Sequence, residues 1–387
     1  MISLLKSVFK QPKHLSGYSF YTDTHNLNSG GRFFKELTQT ICQIGNPIDV
    51  ESAKVVLFNI SASWREIIGA RIRGKIVILR VDGLYFDQLS KKFINEFPAI
   101  LRFILCLGLR YKKLESPMSH IGNFIYHNYK NFFKIALSNH VVYQSYFSLN
   151  LHQRYFPNKK CTVILNGCNY CGVERKLKEN KNEIINIVTI YDEWRPSKRM
   201  EDVVRFIIWF NNSRRPANLI LLGYTGNIPS TSNDALKNQI ENSSFIKILP
   251  RYEEIDGLHK DALLASDCFL TFSFRDACPN VVIEGMAHGL PVIGLKSGGI
   301  PEIVGDAGCL IPFNDFESGF FSAHRFEACF PRINFDLVGD AVEDVVKNMV
   351  YYRLKVRQRF DKEISMVKTG QEYLKVLNLY VGQCDKV

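Results

Sequence analysis

One stretch constrains the fold of this chain more than any other: Phe272 to Val304, FSFRDACPNVVIEGMAHGLPVIGLKSGGIPEIV. The apolar run Cys268–Ser273 leads into it as a buried strand, and Phe274–Pro279 reads as a loop. Asn280 is a good N-cap, Asn280–His288 has helical spacing, and Gly289 stands where a helix would end. Pro291–Leu295 is a second short apolar strand. Lys296–Gly299 then turns, and a further helix opens near Pro301, where proline suits a first turn. Strand, loop, helix, strand, glycine loop and helix is the order of a parallel, doubly wound sheet.

Ligands of such sheets sit beyond the carboxyl ends of the strands. Both loops of this stretch lie at that edge, and each feeds a helix N-terminus, whose unpaired N–H groups suit a phosphate. Asp276 and Glu284 frame the first loop with seven residues between them. A carboxylate accepts two hydrogen bonds at once, which matches a vicinal diol of a ribose or hexose. Phosphate on the N–H groups and diols on the carboxylates together describe a nucleotide sugar.

The stretch resembles the donor-site signature of the retaining GT-B glycosyltransferases, in particular the large family four. That signature is an acid, seven residues, a second acid, a small-residue helix, a G-x-P-V strand and a GG-x-P-E turn. Here Asp276 and Glu284 take the acid positions, followed by Gly289-Leu290-Pro291-Val292 and Gly298-Gly299-Ile300-Pro301-Glu302. Two departures stand out: Asp276 replaces Glu, and Ala277-Cys278-Pro279-Asn280 replaces the Phe-Gly of many members. The resemblance implies an α/β, GT-B architecture, with two Rossmann-like doubly wound domains facing each other across a cleft. It also implies transfer of a sugar from a nucleoside diphosphate sugar to a hydroxyl of a glycan or lipid-linked acceptor, with the anomeric configuration kept. Glu284 would hold the ribose and Asp276 the transferred sugar, with Asn280, Val281, Gly298 and Gly299 lining the donor.

At 387 residues the chain suits two domains rather than one core. The expected division is a first domain over 1–172, a linker over 173–182 and a second domain over 183–365. A last helix within 366–387 would return to pack on the first domain, with Tyr373–Tyr380 as its apolar face. In the second domain, strand Ile184–Tyr191 leads into Asp192-Glu193-Trp194-Arg195-Pro196-Ser197-Lys198-Arg199 and then a helix from Met200. Arg195 and Lys198 therefore sit in a loop at the ligand edge, where fixed cations stabilise a departing diphosphate. Relatives carry an Arg and a Lys five residues apart in this loop; here the spacing is three.

The first domain alternates strands at Tyr18–Thr22, Lys54–Ile60, Lys75–Val81 and Val141–Gln144 with helical stretches. Gly30-Gly31, between the first strand and an expected helix Arg32–Ile44, lets the backbone approach a ligand closely. It resembles the glycine pair that lies against the donor across the cleft in the family. Asp82-Gly83 ends the third strand where many relatives carry His-Gly facing the reacting sugar, which makes Asp82 the candidate on the acceptor or sugar side. Asn166-Gly167 is a turn after a buried strand.

Charge separates the halves. Residues 1–182 carry 26 Lys and Arg against 11 Asp and Glu, a net of +15 within the total of +11. An anionic partner or surface is expected there. Phe97–Leu109 followed by Arg110, Lys112 and Lys113 reads as a buried helix or as one that docks on anionic lipid. No apolar run is long enough to span a bilayer, the start is not a signal peptide, and ten scattered cysteines fit a reducing cytosol. No cofactor is expected, and because no D-x-D occurs, the donor diphosphate is expected to be held by fixed cations rather than by a metal. Other readings of the same chain are a nucleic-acid-directed binder or base-modifying transferase, and a sugar-nucleotide epimerase or phosphorylase of the same fold. No nucleic-acid-binding motif is present, and the G-x-G-x-x-G of a nicotinamide dehydrogenase is missing after the first strand.

Overall fold

The computed structural model describes residues 15–21, 29–84, 128–153, 155–169, 184–191, 196–223, 234–250, 256–313 and 331–382. Arg195, the segment Phe97–Leu109, the 173–182 linker and most of 313–335 lie outside the described residues.

Two parallel sheets form the frame. The first orders β1 (Ser16–Tyr21), β2 (Ala53–Asn59), β3 (Ile76–Val81), β4 (His140–Tyr143) and β5 (Cys161–Val163) side by side in chain order. The second contains β6 (Ile185–Ile190), β7 (Ala217–Leu222), β8 (Ile246–Leu249), β9 (Cys268–Thr271), β10 (Val292–Leu295) and β11 (Gly308–Ile311). Its order is β11-β10-β9-β6-β7-β8, so the winding reverses between β6 and β9. Strands covered by helices on both faces bury apolar residues on both. On β2, Val55 and Leu57 enter one core while Val56 and Phe58 enter the core on the other face. On β9, Cys268 and Leu270 enter one core and Phe269 the other.

Local chemistry sets the helix ends. Ser63 and Glu66 form a reciprocal capping box at the helix Trp64–Ile72. Gly289, at φ +72°, follows the helix Asn280–Ala287 in the left-handed conformation that closes helices. Two sequence expectations are corrected here. The N-cap of that helix is Pro279, and Asn280 is its first helical residue. The helix after β1 spans Ser29–Ile44, so Gly30 and Gly31 lie in its first turn rather than in a loop before it. An amphipathic helix can extend through two glycines when its next turns pack, and Phe33, Phe34, Leu37 and Ile41 are all buried.

The chain returns to the first sheet at its end. Cys168 N–H donates to Ile364 O at 3.1 Å and Met366 N–H to Cys168 O at 2.9 Å, beside a parallel bridge between Cys168 and Ser365. The helix Met366–Gly382 then packs on Ser29–Ile44, inserting Tyr373, Val376, Leu377 and Tyr380 beside Phe33, Leu37 and Ile41. Tyr380 Oη lies 3.1 Å from His140 Nδ1, whose Nε2 lies 2.9 Å from Thr162 Oγ1.

Burial pushes the imidazoles of His140 and His152 down to about 4 from the usual 6.5, with Lys160 and Lys159 reinforcing the effect at His140. Between those two values the unfolded chain takes up protons that the folded chain excludes. The stability these two histidines contribute is therefore complete above pH 6.5 and falls as pH drops toward 4. Urea unfolding at pH 7 and pH 5 should show the loss, and the double substitution His140→Gln with His152→Gln should flatten it. An equal pH dependence in the variant would assign the effect to other groups.

Candidate active site

The reversal between β6 and β9 opens a crevice at the carboxyl ends of these strands. The sequence places a loop on each side of it. After β6 comes the single 3₁₀ turn Pro196–Lys198, and after β9 the loop that carries Asp276. The loops are joined directly, because Phe274 N–H donates to Ser197 O at 2.8 Å. Lys198 Nζ donates to Asp276 Oδ2, while Asp276 Oδ1 accepts from Cys278 N–H at 3.2 Å. Both side chains stay about a quarter exposed, at 25% and 23%. An ion pair this open to water contributes about 1 kcal/mol or less, so its chief effect is to preset geometry. The structure thus joins Lys198 and Asp276, which the sequence reading assigned to separate tasks.

The β10 loop closes over the same point. Gly298 is left-handed at φ +60°, and a Cβ there would stand 2.3 Å from Asp276 O. A Cβ on Gly299 would stand 1.9 Å from Ala277 O. Gly299 N–H donates to Asp276 O at 2.8 Å, and Arg275 N–H to Ser297 Oγ at 2.8 Å. The double glycine lets two loop backbones touch, which holds the Asp276 loop from behind. Glu284 is one helical turn beyond Asn280 and shares its face; both are half-buried, as is Val281. Cys278 is enclosed, and desolvation pushes its thiol up to about 12, leaving it a packing group.

The first domain meets this loop at the ends of its own strands. A Cβ on Gly83 would touch Ala277 Cβ at 3.0 Å, which brings the end of β3 against the Asp276 loop. Asp82 there is 35% exposed and accepts from Arg80 Nη1 at 2.9 Å. Arg80 itself is fully buried. It donates to Asn59 Oδ1 at 3.0 Å, Gln144 Oε1 at 3.0 Å and Asn166 Oδ1 at 3.1 Å, and stacks 4.6 Å from the Phe33 ring centre. Asn166 Nδ2 in turn donates to Asn280 Oδ1 at 2.7 Å across the cleft. Sequence reading missed Arg80, Gln144 and the role of Asn166. The available signal was one Arg inside the apolar run Ile76–Val81, since a buried charge requires partners. Gly30 and Gly31 start the helix that carries Phe33 onto Arg80. Glu302 also crosses the cleft, accepting from Tyr146 N–H at 2.6 Å and Phe147 N–H at 2.7 Å. Among the described residues, no group of three or more His, Cys, Asp or Glu gathers to hold a metal ion.

Residues 196–325 match the family model described as Glycosyl transferases group 1. No curated protein matches the chain. Among solved structures the chain is similar to HepE of Anabaena in complex with UDP-glucose, with 15% identity over 89% of this chain and 81% of that one, and a TM-score of 0.55. It is similar to sucrose-phosphate synthase of Thermosynechococcus elongatus, with 13% identity over 96% and 90% of the two chains and a TM-score of 0.55. It is also similar to the pneumococcal O-GlcNAc transferase GtfA in complex with UDP and GlcNAc, with 12% identity, 84% and 56% coverage and a TM-score of 0.52. The chain spans little more than half the length of GtfA. The fold is GT-B, two Rossmann-like domains with a group 1 glycosyltransferase match over the second.

The double glycine can be tested against another glycine. Gly299→Ala forces its methyl into Ala277 O, whereas a Cβ on Gly289 meets nothing within 4 Å. Overpacking at Gly299 should cost about 1–3 kcal/mol and displace the Asp276 loop. Gly289→Ala should cost only the strain of its positive φ, about 1 kcal/mol. Thermal unfolding of both variants, with a crystal structure of the first, checks the order.

Proposed function

We propose that this protein is a glycosyltransferase that moves a sugar from a nucleoside diphosphate sugar to a hydroxyl of a glycan or lipid-linked acceptor. The observation that carries the reading is the Lys198–Asp276 pair at the switch point of the second sheet, backed by Gly298-Gly299 and met at Ala277 by Gly83, the residue after Asp82. A cation, a carboxylate and closely approaching backbone at one edge suit a diphosphate joined to a sugar. HepE and GtfA, whose structures hold UDP-glucose and UDP with GlcNAc, support the nucleotide-sugar class of donor.

In the proposed mechanism, Lys198 neutralises the departing diphosphate, aided by the helix that begins at Asn280. Arg195, three residues before Lys198 in the sequence, serves as a second cation. Glu284 holds the ribose. Asp276, released from Lys198 when the diphosphate arrives, accepts hydroxyls of the transferred sugar. Exchange between the two partners is inexpensive because both are already part-solvated. Asp82, held by the buried Arg80, faces the sugar from the acceptor side. These fixed charges supply what a chelated metal supplies in other transferases, so the reaction is metal-independent. Retention of configuration follows from the family resemblance.

Thermal shift against UDP-, GDP- and ADP-sugars should select one base. Lys198→Ala should then lower kcat/KM by about a hundredfold or more with the fold intact. Glu284→Gln should weaken the free nucleoside diphosphate in calorimetry, and Asp276→Asn should spare it while damaging turnover. Product formed from donor alone would identify an epimerase, and native-like turnover by folded Lys198→Ala would remove that residue from the mechanism.

The basic half supports an acceptor at an anionic lipid surface. Near Lys130, Tyr129 is 72% exposed, and Phe133 and Trp64 pair at 6.2 Å while remaining half-exposed. Arg65 lies 5.5 Å from the Trp64 ring centre. Exposed aromatics beside cations suit a headgroup layer, and each cation near it contributes about 1 kcal/mol. No helix of the described residues is long and apolar enough to cross a membrane. The protein should co-sediment with anionic but not neutral vesicles at low salt and dissociate as salt rises. Tight, salt-sensitive binding to nucleic acid without vesicle binding would overturn the lipid reading.

A further inference from the structure

The helix Tyr146–Gln153 of the first domain is capped from two sources. Its own Ser145 accepts from Ser148 N–H at 3.0 Å through Oγ, and from Leu149 N–H at 3.0 Å through its carbonyl. The two N–H groups ahead of these have no acceptor within the helix. They belong to Tyr146 and Phe147, and each takes one oxygen of Glu302, a residue of the second domain. The carboxylate is half-buried, and its two bonds complement the positive end of the helix.

What hangs on each side of this contact gives it meaning. On the second-domain side, Glu302 stands in the helix Ile300–Val304, whose N-cap is Gly299. Gly299 N–H holds Asp276 O at 2.8 Å. On the first-domain side, Ser148 Oγ–H donates to Asp82 O at 3.1 Å. One carboxylate therefore links the backbone of Asp276 to that of Asp82 through two short, stiff connections. The Asn166–Asn280 bond spans the same cleft a few residues away and keeps the two sides from pivoting about Glu302.

We infer that Glu302 is a positioning residue, setting the separation of the Asp276 loop from Asp82 by capping the first domain's helix across the cleft. The inference rests on the glycosyltransferase reading for its effect on rate. Its structural half is independent of that reading, because the contact controls how closely the domains approach whatever the substrate.

Two variants test it. Glu302→Gln keeps the shape but turns one N–H partner toward an amide nitrogen, which cannot accept. Tyr146→Pro removes one donor at a first helical position, where proline is well tolerated. Scattering measures the radius of gyration, and calorimetry with the nucleoside diphosphate counts competent donor sites. Both variants should expand in solution. Turnover per nucleotide-binding site should fall about tenfold to a hundredfold, the scale for a displaced reacting group. Nucleotide affinity should stay within about threefold of native, a split that general unfolding cannot produce because site counting removes unfolded protein. An unchanged radius in both variants, or native turnover per site, overturns the inference. If the native protein binds no nucleoside diphosphate, the glycosyltransferase reading fails, and the radius of the variants still decides whether Glu302 holds the domains.

Discussion

The buried guanidinium of Arg80 is the interaction on which the meeting of the two domains depends. Removing that charge from water is costly, and the cost is offset only where every nearby acceptor is well placed. Its acceptors come from the ends of different strands: Asn59 from β2, Asp82 from β3, Gln144 after β4 and Asn166 after β5. Stacking on Phe33 adds the helix Ser29–Ile44 to the set. The carboxyl edge of the first sheet is therefore a single polar assembly. Through Asn166 that assembly reaches Asn280 at the head of the helix that also carries Glu284.

The second domain meets it with the opposite device. Where the first edge is stiffened by a charge, the second is stiffened by missing atoms. Gly298 and Gly299 allow backbone to lie on backbone, and a side chain at either would displace the Asp276 loop. Lys198 then needs only an ion pair about a quarter exposed to be aimed. Stiff supports beneath a solvated pair suit a site that must exchange one partner for a ligand and keep its shape.

Much of this was legible from local pattern. Between Cys268 and Val304 short apolar runs alternate with stretches of helical spacing, and turn residues stand where they change, so its strands, loops and helices could be read directly. Lys198 and Asp276 were legible as loop residues at a ligand edge for the same reason. Their mutual contact was not, because it depends on β6 and β9 being neighbours, which no local signal encodes. The partners of Arg80 and Glu302 were hidden likewise, being brought together only by topology. Asn280 misled for a narrower reason. Its side chain suits an N-cap, but the loop ends one residue earlier at Pro279, and the amide is used across the cleft. The glycines at 30 and 31 read locally as a loop before the helix because their backbone freedom is a local property, whereas the packing that makes them helical is not.

The returning helix Met366–Gly382 has a consequence for synthesis order. One face of the first sheet is closed by Met366, Tyr373, Val376, Leu377 and Tyr380, packed on Tyr18, Phe20 and Leu37. A ribosome making this chain completes every strand of the second sheet before it makes the residues that seal the first. The second domain can thus reach its native core while the first still shows water the apolar face that these residues cover. The earlier-made half is finished last, and until then the apolar side chains around Phe20 and Leu37 stay open to chaperones and to aggregation.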